Sequence, residues 1–155
     1  MPTTDAKIMV YGGILHDIGK TKINPELLKK KEHFSKEEME EMRKHPVEGY
    51  NLLKETNYFS ALIALYHHHF SKDSYPKIIP KSKIAVSKNT LKRAMHYARI
   101  IGVVDSYDAI STRKNDKYNL EKKILSAKER KIKLLDDHPK DVPLINRLYY
   151  KEIFR

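Results

Sequence analysis

The chain has no cysteine, which excludes disulfides, thiolate zinc sites and cysteine nucleophiles. It has no long hydrophobic run either. Its most apolar stretch, around Phe59 to Tyr66, falls well short of the ~20 residues that span a bilayer. The opening Met-Pro-Thr-Thr-Asp-Ala-Lys lacks the basic and apolar pattern of a signal peptide. Glycine is scarce, five residues in 155, and sits close to the motifs described below. Apart from Lys83 to Val86, no stretch alternates β-branched residues in the manner of a strand. The expectation is therefore an all-α helical bundle in the cytoplasm, with one core in a single domain over residues 1–155.

Acidic residues are outnumbered, and the formal net charge is +11. A basic surface attracts nucleotides, nucleic acids and acidic lipid surfaces. No aromatic residues interleave with the lysines as single-strand binding requires. A lysine-rich solvated surface is the simpler reading, and a specific nucleic-acid partner is not expected.

Helix signals divide the chain. A first helix runs through Val10 and Leu15 into the pair His16-Asp17 and stops near Gly19. Asn24 followed by Pro25 marks a second start. Ser35 and Glu38 have capping-box spacing and open a charged helix through Arg43. Pro46 begins another, with Val47, Tyr50 and Leu53 on one face. Residues 59 to 68 are apolar all round, which places that helix at the centre. Residues 70 to 89, with Pro76 and Pro80, read as a loop long enough to be functional. A long helix covers Leu91 to about Thr112. Amphipathic segments near Asn119 to Asp136 and Pro143 to Arg155 close the core.

Metal-ligating residue types recur along this frame. His16 and Asp17 lie between apolar Leu15 and Ile18, and a buried charge needs a partner or a metal. On a helix the two side chains point about 100° apart, which suits a shared centre in which Asp17 bridges two ions and His16 caps one. His45 stands where the chain turns into a helix. The run His67-His68-His69 ends the apolar helix, with two plausible ligands and one spectator. Asp105 interrupts the apolar run Ile100 to Val104, and Ala98, Gly102 and Ala109 on its face leave room for an ion and its ligands. A salt bridge is the rival explanation for Asp105. His33, His96 and His138 lack such context and receive no role. Imidazole and carboxylate donors together suit first-row divalent metals, and two such ions held close together are the usual apparatus for breaking a phosphate ester.

In combination, His16-Asp17-Ile18-Gly19-Lys20, His45-Pro46-x-x-Gly49, His67-His68 and Asp105-x-Tyr107-Asp108-Ala109 resemble the HD superfamily of metal-dependent phosphohydrolases. More narrowly they are similar to its HD-GYP subgroup, which hydrolyses cyclic di-GMP. The resemblance covers nearly the whole chain, including Asp137-His138-Pro139 to Phe154. It implies metal ligation by His16, Asp17, His45, His67, His68 and Asp105. It implies a phosphate contact at Lys20 and nucleotide contacts at Asp108, Tyr75, Lys114 and Lys117. Two departures stand out. The subgroup's His-His-Glu-x-x-Asp-Gly-x-Gly-Tyr-Pro signature reads His67-His68-His69-Phe70-Ser71-Lys72-Asp73-Ser74-Tyr75-Pro76 here. It is one residue shorter, has His69 for Glu and has neither glycine. Only fifteen residues precede His16, where the family has helices, so the domain is expected to lack them, or the chain is a piece of a longer protein.

The expected activity is that of a metal-dependent phosphodiesterase acting on a cyclic dinucleotide (cyclic di-GMP) or a related phosphoester by attack of metal-activated hydroxide. Asp17 and Lys20 are its central residues. The expected cofactors are two divalent ions, iron or manganese first, then zinc, nickel or cobalt. The metal found after purification reflects supply as well as preference. Expected partners are the nucleotide or phosphoester substrate, a diguanylate cyclase-type signalling protein and a second copy of the chain. The alternative is a catalytically degenerate nucleotide-binding or regulatory module, for which the altered Tyr75-Pro76 loop argues.

Overall fold

The computed structural model describes residues 4–30, 32–81, 84–112 and 125–155. Their regular structure is helical, with no strand among them. Helix α1 spans Thr4–Leu15, and a short 3₁₀ segment follows at Ile18–Lys22. Asn24 caps α2 (Pro25–Lys29) by accepting from the Glu26 amide. Ser35 and Glu38 form the reciprocal capping box of α3 (Lys36–Met42). Helix α4 (His45–Leu53) begins one residue before its proline. Asn57 caps α5 (Tyr58–Tyr66), and its first-turn amide donor is Ser60. After a connection whose described residues have no regular structure come α6 (Lys88–Thr112), α7 (Ala127–Asp137) and α8 (Val142–Tyr150). No helix among the described residues is long and apolar enough to cross a membrane.

Helix α5 is the hub. Ser60 to Leu65 are all buried, so the helix needs cover on every side. Tyr50 and Leu53 of α4 pack on one side of it, and Ala94 of α6 joins them. Ile63 faces Tyr97, Ala98 and Ile101 of α6, with Ile8 and Met9 of α1 beside them. Each large aliphatic side chain buried there contributes roughly 1.5–3 kcal/mol. The carboxy-terminal half of α6 carries a second cluster, in which Val103 and Ile110 meet Leu134, Ile145 and Phe154. Thus α6 joins the packing around α5 to that of the carboxy-terminal helices, and Asp105 lies between Val103 and Ile110 of the latter.

Two sequence expectations change in detail. His16 and Asp17 lie just beyond the last residue of α1, in the turn that leads into the 3₁₀ segment. Ile84 to Val86, in the stretch with strand-like alternation, form no strand, and Lys83 lies outside the described residues. So do residues 119–124 of the expected penultimate helix, together with Lys114 and Lys117.

Candidate metal centre

Four segments deliver six side chains to one place. Asp17 caps the 3₁₀ segment, yet its carboxylate accepts nothing from that segment's amides and stays available. His45 opens α4, His67 caps the end of α5 with His68 next to it, and Asp105 comes from the middle of α6. Asp17, His45, His67 and His68 form one group of converging ligand atoms, and His16, Asp17 and Asp105 form another. Within each group the atoms lie within 4.8 Å of one another, and Asp17 belongs to both. Its Oδ1 is 3.3 Å from His45 Nε2 and 3.8 Å from His67 Nε2. Its Oδ2 is 3.4 Å from His16 Nε2, which in turn is 3.8 Å from Asp105 Oδ1.

Hydrogen bonding fixes which ring nitrogens carry protons. The Nδ1 atoms of His16, His45 and His67 each lie 2.7 Å from the carbonyl oxygen three residues back, of Gly13, Met42 and Ala64 respectively. A carbonyl only accepts, so each Nδ1 is the donor, and the neutral rings of His45 and His67 turn a lone pair inward on Nε2. His45 Nε2 and His67 Nε2 then face each other at 3.4 Å with no proton between them. His16 Nε2 and Asp17 Oδ1 are buried and lack hydrogen-bond partners. Lone pairs and carboxylates crowd together there, and a cation is what such a pocket accommodates. The nitrogen and oxygen donor set fits a first-row divalent metal, and ligating imidazoles anchored through the opposite nitrogen are the normal arrangement.

The electrostatics agree. Burial lowers His45 to about 4 and His67 to about 3, and pushes His68 well below the usual imidazole range, so these three are neutral at pH 7. Burial also works against charge on His16, but the carboxylates of Asp105 and Asp17 outweigh it and raise this imidazole to about 10. For Asp17, burial favours the neutral form, and His16 and Lys20 override it and hold the group far below the usual carboxylate range. Asp105 is likewise held below its ordinary value by His16 against the effect of burial. A proton on His16 thus takes the place of a cation between two carboxylates.

Two glycines let the backbones close on this centre. A Cβ on Gly19 would lie 1.9 Å from the His45 carbonyl oxygen and 2.4 Å from the Gly49 nitrogen. A Cβ on Gly102 would lie 2.1 Å from the His67 carbonyl oxygen. The room that Gly102 leaves on α6 is therefore taken up by the backbone of His67, one turn from the Asp105 carboxylate.

The other expected site residues fall in different places. Lys20 Nζ forms an ion pair with Asp17 Oδ2 at the rim. Tyr75 stacks on His68, with ring centroids 4.4 Å apart and planes 23° from parallel. Asp108 is exposed on α6, and its backbone carbonyl and carboxylate accept from the Thr112 hydroxyl. His69 packs edge-on against Tyr66 and Phe70, outside both ligand groups. Sequence reasoning overlooked Arg43, whose guanidinium lies 5.6 Å from the Tyr75 ring centre. His138, which received no role, lies outside both ligand groups, buried and bonded to Ser106 across 2.8 Å. No local pattern links residues so far apart in the chain.

A helical bundle that gathers His16-Asp17, two further histidine sites and Asp105 defines a class. Residues 2–110 match the HD domain family, and the chain belongs to that family of metal-dependent phosphohydrolases. Among curated relatives it is similar to the cyclic di-GMP phosphodiesterase response regulator RpfG of Xanthomonas campestris pv. campestris. The identity is 33% over 111 residues, covering 68% of this chain and 27% of the relative. It is also similar to a cyclic di-GMP phosphodiesterase of Thermotoga maritima, with 32% identity over 109 residues, 67% of this chain and 27% of the relative. The chain thus spans about a quarter of the length of these curated relatives. No solved structure matches it.

Proposed function

We propose that this domain is a two-metal phosphodiesterase acting on a cyclic dinucleotide, cyclic di-GMP first, or on a related phosphoester. One observation carries the reading: two ligand groups share the Asp17 carboxylate, and the lone pairs of His45 and His67 meet without a proton between them. The names of the two curated relatives support the choice of substrate. His45, His67, His68 and Asp17 would hold one ion, and His16, Asp105 and the shared Asp17 the other. Divalent ions in such a pair polarise a phosphoryl oxygen and lower the pKa of water enough to make it a nucleophile at neutral pH.

The chain's own groups supply the rest. The Asp17 carboxylate fixes the spacing of the centre. Lys20, beside it at the half-exposed rim, neutralises charge growing on the phosphoryl oxygens. Asp108, one turn beyond Asp105, orients the nucleotide from solvent, and Lys114 and Lys117 add positive charge for its phosphates. A diguanylate cyclase-type partner, a homodimer and a cytoplasmic setting belong to the same proposal.

The test is elemental analysis of protein purified without added metal, then turnover of cyclic di-GMP and of an aryl phosphodiester with manganese or iron(II). We expect about two ions per chain and hydrolysis of cyclic di-GMP. Absence of metal before and after loading, with no turnover, would overturn the proposal. The second reading, a degenerate binding module, draws on the shortened loop with His69 in place of an acidic residue. Tight cyclic di-GMP binding by the metal-loaded protein without turnover would establish it.

A further inference from the structure

His68 differs from the other three imidazoles at the centre. Those of His16, His45 and His67 are each fixed by a donated hydrogen bond to a carbonyl. Among the described residues, no hydrogen bond holds the His68 ring. What holds it is aromatic packing. Tyr75 lies against one face at 4.4 Å, while His67 and His45 border it with centroids at 4.0 and 5.2 Å. The Tyr75 amide donates to the His68 carbonyl at 3.3 Å, so backbone and ring of these two residues are fastened together. Over Tyr75 sits the Arg43 guanidinium, itself paired with Glu40 at 3.1 Å. The loop is anchored beyond the stack by the Lys72 amide on the Asp137 carbonyl, 2.8 Å, and by the Lys72–Asp136 ion pair.

We infer that Tyr75 is a positioning residue for the metal centre, setting the plane of His68 by stacking where the other histidines use a backbone carbonyl, with Arg43 clamping Tyr75 from outside. The inference rests on the two-metal reading and adds to it. A ligating imidazole needs its orientation fixed, and loss of the group that fixes it typically weakens metal binding about 10–100-fold. A stacked ring supplies that constraint through offset aromatic contact, and a guanidinium over the ring adds a cation–π attraction. Tyr75 is committed on the His68 side, so it serves the ligand ahead of a substrate base.

The experiment measures manganese affinity by calorimetry, with no substrate present, for the full chain and for Y75F, Y75A, H68A and the double variant H68A/Y75A. Y75F should bind within about threefold of the parent, since the stacked ring is kept. Y75A should bind about 10–100-fold more weakly. In the H68A background the same change should add almost nothing, because the two residues act as one unit. Y75L serves in place of Y75A if the smaller side chain prevents folding, which circular dichroism would show. Parent-like manganese affinity in Y75A or Y75L, with only KM for cyclic di-GMP raised, would overturn the inference and return Tyr75 to a substrate contact. Parent-like affinity in H68A would instead strike the two-metal reading at His68, and the inference would fall with it.

Discussion

Two buried histidine clusters lie on neighbouring parts of α6, and they solve opposite problems. At Asp105 the incoming groups are lone pairs and carboxylates, and His16 Nε2 and Asp17 Oδ1 are left without hydrogen-bond partners. One residue further on, Ser106 bonds to His138 Nε2 at 2.8 Å, and the second ring nitrogen faces Asp141 at 3.7 Å. Asp141, almost fully buried, is neutralised by the Arg99 guanidinium, which also donates to the Lys140 carbonyl at 2.7 Å. The second cluster also leaves His138 Nδ1 and Asp141 Oδ2 without hydrogen-bond partners, but it holds its own cation in Arg99 and a hydroxyl in Ser106, and these fasten the start of α8 to α6. The first sets the facing Nε2 atoms of His45 and His67 beside two carboxylates, with the His16 proton and Lys20 as its positive charges. Buried histidine alone does not mark a ligand; the balance of donors and acceptors around it does.

The sharpest way to break the contrast is to remove the shared carboxylate. Asp17→Ala should abolish metal binding and turnover together, as read by elemental analysis and by cyclic di-GMP hydrolysis. Retained turnover would end the two-metal scheme. The matching change in the other cluster, Arg99→Met, strands Asp141 as a buried unpaired charge and should cost about 3 kcal/mol in urea unfolding. The metal content should not change. Next comes pH. Metal entry must expel the proton from His16, whose pKa is raised to about 10, so affinity should climb about tenfold per unit between pH 7 and 9. Titrations in buffers of different ionisation enthalpy would show the released proton.

The metal-free fold has its own pH signature, with the sign set by each shift. Above 6.5 the native state keeps a proton on His16 that the unfolded chain loses, so stability falls as pH rises towards 10. Below 6.5 the unfolded chain takes up protons that His45 and His67, lowered to about 4 and about 3, refuse, so stability falls as pH drops. Unfolding curves of chelator-treated protein should place the maximum near the 6.5 of a free imidazole. A maximum far from there would undo the charge assignment. Smaller effects belong to the glycines. Gly102→Ala forces α6 from the His67 carbonyl and should cost about 1–3 kcal/mol in thermal or urea unfolding, with weaker metal binding. Gly13→Ala meets open space in α1 and should add about 0.5–1 kcal/mol of stability in the same assay.

Local chemistry was the part of the fold that could be read in advance. Asn24-Pro25 and Ser35 with Glu38 signal helix starts because their partners lie within one turn, and the apolar run to Leu65 announces a central helix for the same reason. The six converging side chains were legible as residue types, since carboxylates and imidazoles set among apolar neighbours need a partner. Contacts between distant segments were not. The press of Gly102 on the His67 carbonyl joins residues 35 apart, and Ser106–His138 spans 32. Both depend on how α6 crosses its neighbours, which no periodicity encodes. The stack of Arg43 on Tyr75 on His68 was hidden too, since no local pattern joins the end of α3 to the loop after α5.

The most direct test is an anomalous-difference map from crystals grown in manganese. The account predicts two peaks about 3.5–4 Å apart on either side of the Asp17 carboxylate, one against His45, His67 and His68 and the other against His16 and Asp105. A map without a peak among these six side chains, at saturating manganese, would contradict it.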